Sequence, residues 1–205
     1  MIFIQMIESA PKYYVTWVVL ICFSICLHEF FHAWTAYKKG DSTAVDGGYM
    51  TLNPLHVMGW QSLLILALFG LAWGAVPINP RRLRGKHGHL IVALAGPAAN
   101  LGLAFLFFLV MFFNGTIIDS ETILFVCRLG ISANIFLLLF NLLPLPMLDG
   151  WELYSTLFPN FNKVPREQAQ QYGFFGLLVI LFLGLHRYLW DAADVVSNFA
   201  IQLTG

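Results

Sequence analysis

The run of residues from Tyr13 to Tyr37 contains one acidic residue, Glu29, and no lysine or arginine. As a helix, its roughly 25 residues extend about 37 Å at 1.5 Å per residue, which is enough to cross the hydrocarbon core of a bilayer. The composition agrees, because 59% of the 205 residues are hydrophobic and only 11% are charged. Soluble domains average about 45–50% apolar and 25% charged residues. The chain is therefore predicted to be a membrane protein surrounded by lipid.

Several further segments have the length and composition of membrane spans. Leu90–Phe113 has no charged residue and Thr122–Leu143 has one, so both are predicted to cross the bilayer. Ala169–Leu185 is shorter but uncharged, and we expect it to span as well. Ser62–Val76 is weaker and is followed by two prolines, so it either spans or re-enters. Asp191–Gly205 is predicted to be an amphipathic helix at the membrane interface.

The distribution of basic residues favours re-entry of Ser62–Val76. Re-entry places eight basic residues on one side: Lys38, Lys39, Arg81, Arg82, Arg84, Lys86, Lys163 and Arg166. Lys12 and Arg187 then lie on the opposite side. Full crossing would move the cluster at 81–86 outward and remove most of this asymmetry. Because basic residues are enriched in cytoplasmic connections, re-entry is the preferred topology.

These segments predict an all-α polytopic membrane protein with about four to six transmembrane helices and a re-entrant segment. The turn signal at Gly47-Gly48 precedes a β-prone run that ends at Asn53. We expect a short β-hairpin or strand here, which could pair with an extended substrate. Apolar segments occupy most of residues 1–205, so the chain is predicted to be a single domain, with a core at 13–150 and C-terminal helices at 169–205.

His28, Glu29 and His32 form an HExxH pattern inside the first predicted span. Residues four apart share one face of a helix, so both imidazoles can reach one Zn²⁺ while the glutamate lies beside an open coordination position. The alternative is a pair of hydrogen-bonded helix histidines with an incidental acid. An ionisable residue costs about 2.5–3.5 kcal/mol near the centre of a membrane helix and is rarely retained without a role. This cost favours a metal site.

A hydrolytic zinc site needs a third protein ligand, and Asp149 is the best candidate. It follows the long apolar run Thr122–Leu143 and precedes Gly150. It could equally be an aspartate in a helix-ending turn. Under the re-entrant topology, however, the ends of Tyr13–Tyr37 and Thr122–Leu143 reach the same depth, which would allow their polar residues to meet.

Three motifs in the chain resemble the site-2 protease family of intramembrane zinc metalloproteases, peptidase family M50. They are HExxH at His28–His32, the segment AGPAAN at Ala95–Asn100 and NxxPxPxLDG at Asn141–Gly150. Thr51–Pro54 and Val76–Pro80 also look like a short bacterial or archaeal branch of this family. The resemblance covers most of residues 25–150. Trp151-Glu152 departs from the small and basic residues that often follow the LDG motif, and the chain matches a short form without PDZ or CBS domains.

The resemblance implies one Zn²⁺ per chain, bound by His28, His32 and Asp149, with Glu29 as the general base. It also implies cleavage of transmembrane protein substrates near the cytosolic face of a bacterial or archaeal cell membrane. Asn141 and Asn100 would hold the substrate or its developing oxyanion, although asparagines in apolar helices are often only interhelical hydrogen-bonding groups. The expected chemistry is metal-assisted peptide hydrolysis.

Other functional classes fit the sequence less well. The formal net charge is zero, which argues against nucleic-acid binding. A metal-ion transporter would spread polar ligands along several spans, and a di-iron oxidase would need more histidines than the six present. A proteolytically inactive relative would most simply lack Glu29 or a ligand. The oligomeric state stays open, and a homo-oligomer is compatible with the sequence. The three cysteines are expected to be reduced.

Overall fold

The computed structural model of the chain describes residues 3–114, 120–158 and 166–203. Contacts between Cα atoms divide the chain into two compact units, Met1–Gly88 and His89–Gly205. The cysteines Cys22, Cys26 and Cys127 are free thiols, as expected. Lys163, one of the basic residues used to predict the topology, lies outside the described residues.

The first unit is built around one long helix. The five helices among its described residues are Met6–Ser9 (α1), Pro11–Lys38 (α2), Thr43–Asp46 (α3), Pro54–Val57 (α4) and Gly59–Phe69 (α5). Short 3-10 turns lie at Phe3–Gln5 and Pro80–Arg82. α2 begins with a proline at its first position, where the missing N–H costs no helical hydrogen bond, and its 28 residues confirm the first predicted span.

The chain leaves along α5 and returns as extended backbone. α5 ends at Gly70, which adopts a left-handed conformation with φ of 75°. The Trp17 indole N–H donates to the Gly70 carbonyl at 3.0 Å, so this turn lies beside the beginning of α2. The returning segment ends beside the last turn of α2, because the Asn79 N–H donates to the Asp41 carboxylate at 2.6 Å. This path agrees with the predicted re-entry.

The predicted hairpin or strand at residues 48–53 is not confirmed. Local turns use the N–H groups that a strand would pair with a neighbour. The Tyr49 N–H donates to the Ala44 carbonyl at 2.7 Å, and the Thr51 N–H donates to the Tyr49 carbonyl at 2.9 Å. None of the residues that the structure describes forms a β-strand. The β-propensity of this segment is therefore overridden by the turn at Gly47-Gly48 and by the short helix α3 before it.

The second unit contains the other long apolar helices. Its helices within the described ranges are Gly88–Phe113 (α6), whose first residue belongs to the first unit, Glu121–Asn141 (α7), Gly150–Leu157 (α8), Arg166–Phe182 (α9) and His186–Gln202 (α10). α6 continues through Pro97 without a break, although a proline inside a helix removes a backbone hydrogen bond and often kinks or breaks the helix. α6 and α7 confirm two further predicted spans.

 Among the residues that the structure describes, three helices, α2, α6 and α7, are long and apolar enough to cross a membrane.

The C-terminal helices change the predicted number of spans. α9, with 17 residues, is not among the helices that are long and apolar enough to span by themselves, although Ala169–Leu185 was expected to cross. Gln171–Phe182 and α10 are long and apolar enough to span only as a pair, and the two helices are bent by 70° relative to each other. Among the described residues the chain therefore has three candidate spans, or four if the bent pair is one span. The predicted range of four to six is not confirmed.

α10 packs along α7 in the antiparallel direction. Three side-chain pairs, each separated from the next by four residues on both helices, join them: Arg128 with Asn198 at 3.0 Å, Ser132 with Asp194 at 2.8 Å, and the rings of Phe136 and Trp190 at 5.2 Å. Small buried residues at Ala193, Ser197 and Ala200 allow close approach of the two helices. The pairs cover about 12 Å of α7 by helix rise. A helix lying flat at the interface could not follow a crossing helix in this way, so that prediction for the C-terminal helix is wrong.

Candidate active site

α2 presents His28, Glu29 and His32 from the interior of a membrane-spanning helix. All three side chains are buried, with exposed fractions of 6%, 9% and 5%. Glu29 lies nine residues before the end of the helix at Lys38, which is roughly 14 Å by helix rise. The two histidines are one helical turn apart and their rings lie on the same face of α2, as the spacing predicts.

The two imidazoles are arranged as ligands of a single metal ion would be. Their Nε2 atoms lie 2.9 Å apart, whereas two nitrogens bound to one tetrahedral zinc at 2.0–2.1 Å are separated by about 3.3 Å. A small rotation of either ring would increase the distance between the two Nε2 atoms to that value. In the absence of a metal ion, one ring can donate to the other through these atoms. The donor set and its geometry therefore fit zinc.

Glu29 packs directly against the returning segment of the first unit. A Cβ atom built on Gly74 would lie 2.8 Å from Glu29 Cγ and 2.7 Å from Ile25 Cγ2. These distances are shorter than real Cβ contacts, so only glycine permits this approach. Gly74 thereby forms part of the surface that surrounds the Glu29 side chain.

The returning segment is held on both sides of Gly74. The Ser62 hydroxyl donates to the Trp73 carbonyl at 2.7 Å and accepts from the Trp73 N–H at 2.9 Å. The Ala75 N–H donates to the Val57 carbonyl at 3.1 Å. Extended backbone is tolerated at membrane depth only where protein or water satisfies it. These hydrogen bonds satisfy some of the backbone polar groups of the segment, and they fix the segment beside Glu29.

Asp149 lies in the second unit, in a tight turn between α7 and α8. The chain is non-helical from residue 142 to 149, as Pro144 and Pro146 predict. A Cβ atom on Gly150 would collide with the Leu142 carbonyl group and lie 2.5 Å from the Leu143 carbonyl oxygen. Glycine at 150 therefore lets the turn fold back onto the end of α7. Asp149 occupies the N-cap position of α8, but its side chain makes no capping hydrogen bond there.

The two asparagines predicted to contact substrate make hydrogen bonds within the second unit. The Asn100 amide donates to the Asn134 carbonyl oxygen at 3.0 Å, and both side chains are fully buried. The Asn141 amide donates to the Leu137 carbonyl of its own helix at 3.0 Å. The bond between Asn100 and Asn134 thus joins α6 to α7. Substrate binding by Asn100 and Asn141 stays a prediction.

Gly74 and Asp41 are site-related residues that the motifs did not identify. Gly74 carries no functional group, and its only signal in the sequence is a glycine three residues before a proline in an apolar segment. Asp41 is an acid that follows a helix-ending glycine, which resembles many exposed loop residues. Its full burial depends on the return of the chain to α2, and the local sequence does not encode this contact.

Several bacterial and archaeal proteins are similar to this chain. "Putative zinc metalloprotease YwhC" of Bacillus subtilis is 37% identical over 200 residues, which cover 91% of this chain and 89% of the relative. "Putative zinc metalloprotease Rip2" of Mycolicibacterium smegmatis is 36% identical over 86% of this chain and 71% of the relative. "Putative zinc metalloprotease MJ0611" of Methanocaldococcus jannaschii is 34% identical over 60% of each. No family model and no solved structure matches the chain.

The extent of this similarity agrees with the residues of the site. The first two relatives are 37% and 36% identical to this chain in alignments that cover 91% and 86% of it, and their names imply a zinc cofactor in those proteins. The chain supplies a buried HExxH helix of membrane-spanning length, two imidazole nitrogens directed at one point and an adjacent carboxylate. The chain therefore belongs to the site-2 protease family of intramembrane zinc metalloproteases.

Proposed function

We propose that this chain is an intramembrane endopeptidase that hydrolyses peptide bonds in or near the transmembrane segments of membrane-protein substrates. The observation that carries the proposal is the position of Glu29. A buried carboxylate lies between two buried histidines, in the interior of a helix long enough to cross the bilayer. Burying such a group in a membrane helix is costly without a function, and a soluble metalloprotease would have no reason to place it there.

The proposed zinc ligands are His28, His32 and Asp149. Together they offer two imidazole nitrogens and one carboxylate oxygen, which is the three-ligand set of a catalytic zinc site with one position left for water or substrate. The turn that carries Asp149 supports this role, because its two prolines hold the chain in a non-helical path up to this residue. The tight packing of Gly150 also gives the carboxylate a defined position.

When bound, zinc supplies Lewis-acid chemistry that polarises a peptide carbonyl and makes a coordinated water more acidic. Glu29 is the proposed general base, which accepts a proton from the attacking water and passes it to the leaving amine. Its packing against Gly74 limits the rotamers that its side chain can adopt. Hydrogen bonds of a substrate helix shield its scissile amide, so the substrate must unwind locally before it reaches this carboxylate.

The proposed location is a bacterial or archaeal cell membrane, with the active site toward the cytosol. This orientation rests on the basic residues that follow α2 and the returning segment. The Arg84 N–H donates to the Lys39 carbonyl at 2.8 Å, which joins the two basic stretches at one end of the first unit. Positive charge of this density is typical of the cytoplasmic side. Regulated cleavage of a transmembrane substrate at this face is the proposed role.

Reconstitution with a single-span substrate tests the proposal. The native chain is expected to cleave the substrate, and Glu29→Gln is expected to lose nearly all activity while it retains zinc, because it removes the proton acceptor but no ligand. Asp149→Asn is expected to lose both activity and zinc, since an amide oxygen is a weaker zinc ligand than a carboxylate.

Two exposed or half-buried acids supply matched controls. Glu8→Gln repeats the Glu29 substitution on an exposed residue, and Glu152→Gln removes a carboxylate three residues from Asp149. Both controls are expected to retain activity and zinc content. Equal cleavage by the native chain, Glu29→Gln and Asp149→Asn would refute the assignment, as would full zinc binding by Asp149→Asn.

A further inference from the structure

We propose that Asp41 is a positioning residue for Glu29, and that it acts through the returning segment 71–79. The inference rests on the proposed role of Glu29 as general base. It concerns a residue outside the three family motifs, in the loop that follows α2.

Asp41 has a fixed position because of the way α2 ends. Gly40 adopts a left-handed conformation with φ of 102°, and the Asp41 N–H donates back to the Ala36 carbonyl at 2.9 Å. This is the hydrogen-bond pattern of a Schellman motif, in which the chain reverses over the last turn of the helix. The Asp41 side chain that this reversal positions is fully buried.

Three donors converge on the two oxygens of this carboxylate. Oδ1 accepts from both the N–H and the hydroxyl of Thr43, and Oδ2 accepts from the N–H of Asn79 at 2.6 Å. Burial raises the pKa of Asp41, but the hydrogen bonds from Thr43 and Asn79, together with the charge of Arg82, outweigh it and lower the pKa below its ordinary value. The residue is therefore a charged anchor at neutral pH.

The Asn79 hydrogen bond fixes the inner end of the segment that contacts Glu29. After Gly74, the Ala75 N–H donates to the Val57 carbonyl and the Asn79 N–H donates to the Asp41 carboxylate. Pro77, between these two residues, has no N–H and cannot donate a hydrogen bond. Gly74 lies three residues before Pro77 and five before Asn79. Movement at Asn79 is thus transmitted along stiff extended backbone to the surface that holds Glu29.

The chemistry of the anchor requires aspartate and excludes asparagine. An asparagine offers one carbonyl oxygen and one NH₂ group, which is a donor. In either orientation the NH₂ group would face an N–H donor, of Asn79 or of Thr43. Asp41→Asn is nearly the same size as the native residue, so it releases the segment without creating a cavity.

The test compares Asp41→Asn with Asp46→Asn in the full chain. Asp46 is an exposed acid at the end of the short helix α3, five residues after Asp41, and its carboxylate accepts a hydrogen bond from the Ser42 hydroxyl. Asp41→Asn is expected to lower kcat about tenfold or more, because small displacements of a catalytic group have large effects on rate. KM is expected to change less than about twofold, and zinc content should not change. Asp46→Asn is expected to match the native chain in all three.

A labelling experiment separates loosening of the segment from general unfolding. Ala75→Cys places a thiol on the exposed side of the segment, and its reaction with a membrane-permeant maleimide is expected to accelerate severalfold in the Asp41→Asn background. The buried thiol of Cys26 reports on unfolding and should stay unreactive. If Asp41→Asn does not fold, Thr43→Val, which removes one of the three donors, is expected to give a smaller increase at Ala75→Cys.

The outcomes distinguish this inference from the proposed function. Native kcat and native labelling of Ala75→Cys in folded Asp41→Asn would overturn it, and so would an unchanged labelling rate in Thr43→Val if that variant has to be used. If the native chain cleaves no substrate, the proposed function fails, and the labelling rate still decides whether Asp41 holds the segment.

Discussion

Replacing Gly150 by alanine tests how tightly the turn that carries Asp149 is built. The new Cβ atom would lie 2.5 Å from the Leu143 carbonyl oxygen and would collide with the Leu142 carbonyl group. Real Cβ contacts are almost never below 3.0 Å, so the backbone must move by at least about 0.5 Å. Both partners are backbone atoms, which cannot rotate away. Overpacking of this kind costs about 1–3 kcal/mol, and we expect Gly150→Ala to lower the free energy of unfolding by this amount.

The same displacement acts on the adjacent carboxylate of Asp149. We expect weaker zinc binding and at least about a tenfold loss of cleavage activity, since a shift near 1 Å can cost about a hundredfold. Gly102→Ala is the matched control, because a Cβ atom there would meet nothing within 4 Å. Within helix α6 that substitution should be neutral or stabilise by about 0.5–1 kcal/mol.

Unfolding in detergent, measured by circular dichroism, and zinc content, measured on the same samples, check both effects. Native stability and native zinc content in Gly150→Ala would show that the turn is looser than its contacts indicate. The idea that tight packing at Gly150 fixes the position of the Asp149 carboxylate would then be refuted. An equal loss in Gly102→Ala would instead mean that any added methyl group in this unit is disruptive.

Three further predictions concern hydrogen bonds of the described residues. The pair Ser132→Cys and Asp194→Cys should form a disulfide on mild oxidation, seen as a mobility shift that reduction reverses, because these side chains meet at 2.8 Å between antiparallel helices; failure to cross-link would contradict the pairing of α10 with α7. Asn100→Ala should destabilise the chain by about 0.6–2 kcal/mol, since it leaves the buried Asn134 oxygen without this donor, and an additive double-mutant cycle would argue against the bond. Asp41 has a lowered pKa in the folded chain, so its contribution to stability is present above the unfolded value near 3.9 and is lost as the pH falls through the lower folded value. The stability difference between the native chain and Asp41→Asn should therefore be constant near neutral pH and shrink below about pH 4, and a difference that grows toward low pH would have the wrong sign.

The chemistry of the site could be predicted from local patterns. His28 and His32 lie on one helical face because helix geometry fixes the relation between residues four apart. The burial of Glu29 follows from its place in an apolar run, and the non-helical turn before Asp149 follows from two prolines. Each of these features depends on residues within one turn or one short loop, so a sequence pattern contains the relevant information.

Features that depend on contacts between distant segments were predicted poorly. The β-prone residues 48–53 form local turns, because the structure gives their N–H groups partners in α3 and in the loop itself. The C-terminal helix was expected at the interface because its composition is amphipathic, but its small residues pack against α7. An amphipathic pattern shows that one face is buried and does not identify what buries it.

The sequence by itself determined that the chain enters a membrane, that its first long helix carries a zinc-binding pattern with a carboxylate beside it, and that a proline-rich turn presents Asp149. Only the tertiary structure decided that the chain returns along α2 in extended form, that Gly74 packs on Glu29 and that Asp41 anchors this return. The physical reason is that helix periodicity and proline chemistry act within a few residues. The burial of Asp41 and the contact at Gly74, in contrast, arise between residues 38 and 45 positions apart in the chain, where no local preference specifies the partner.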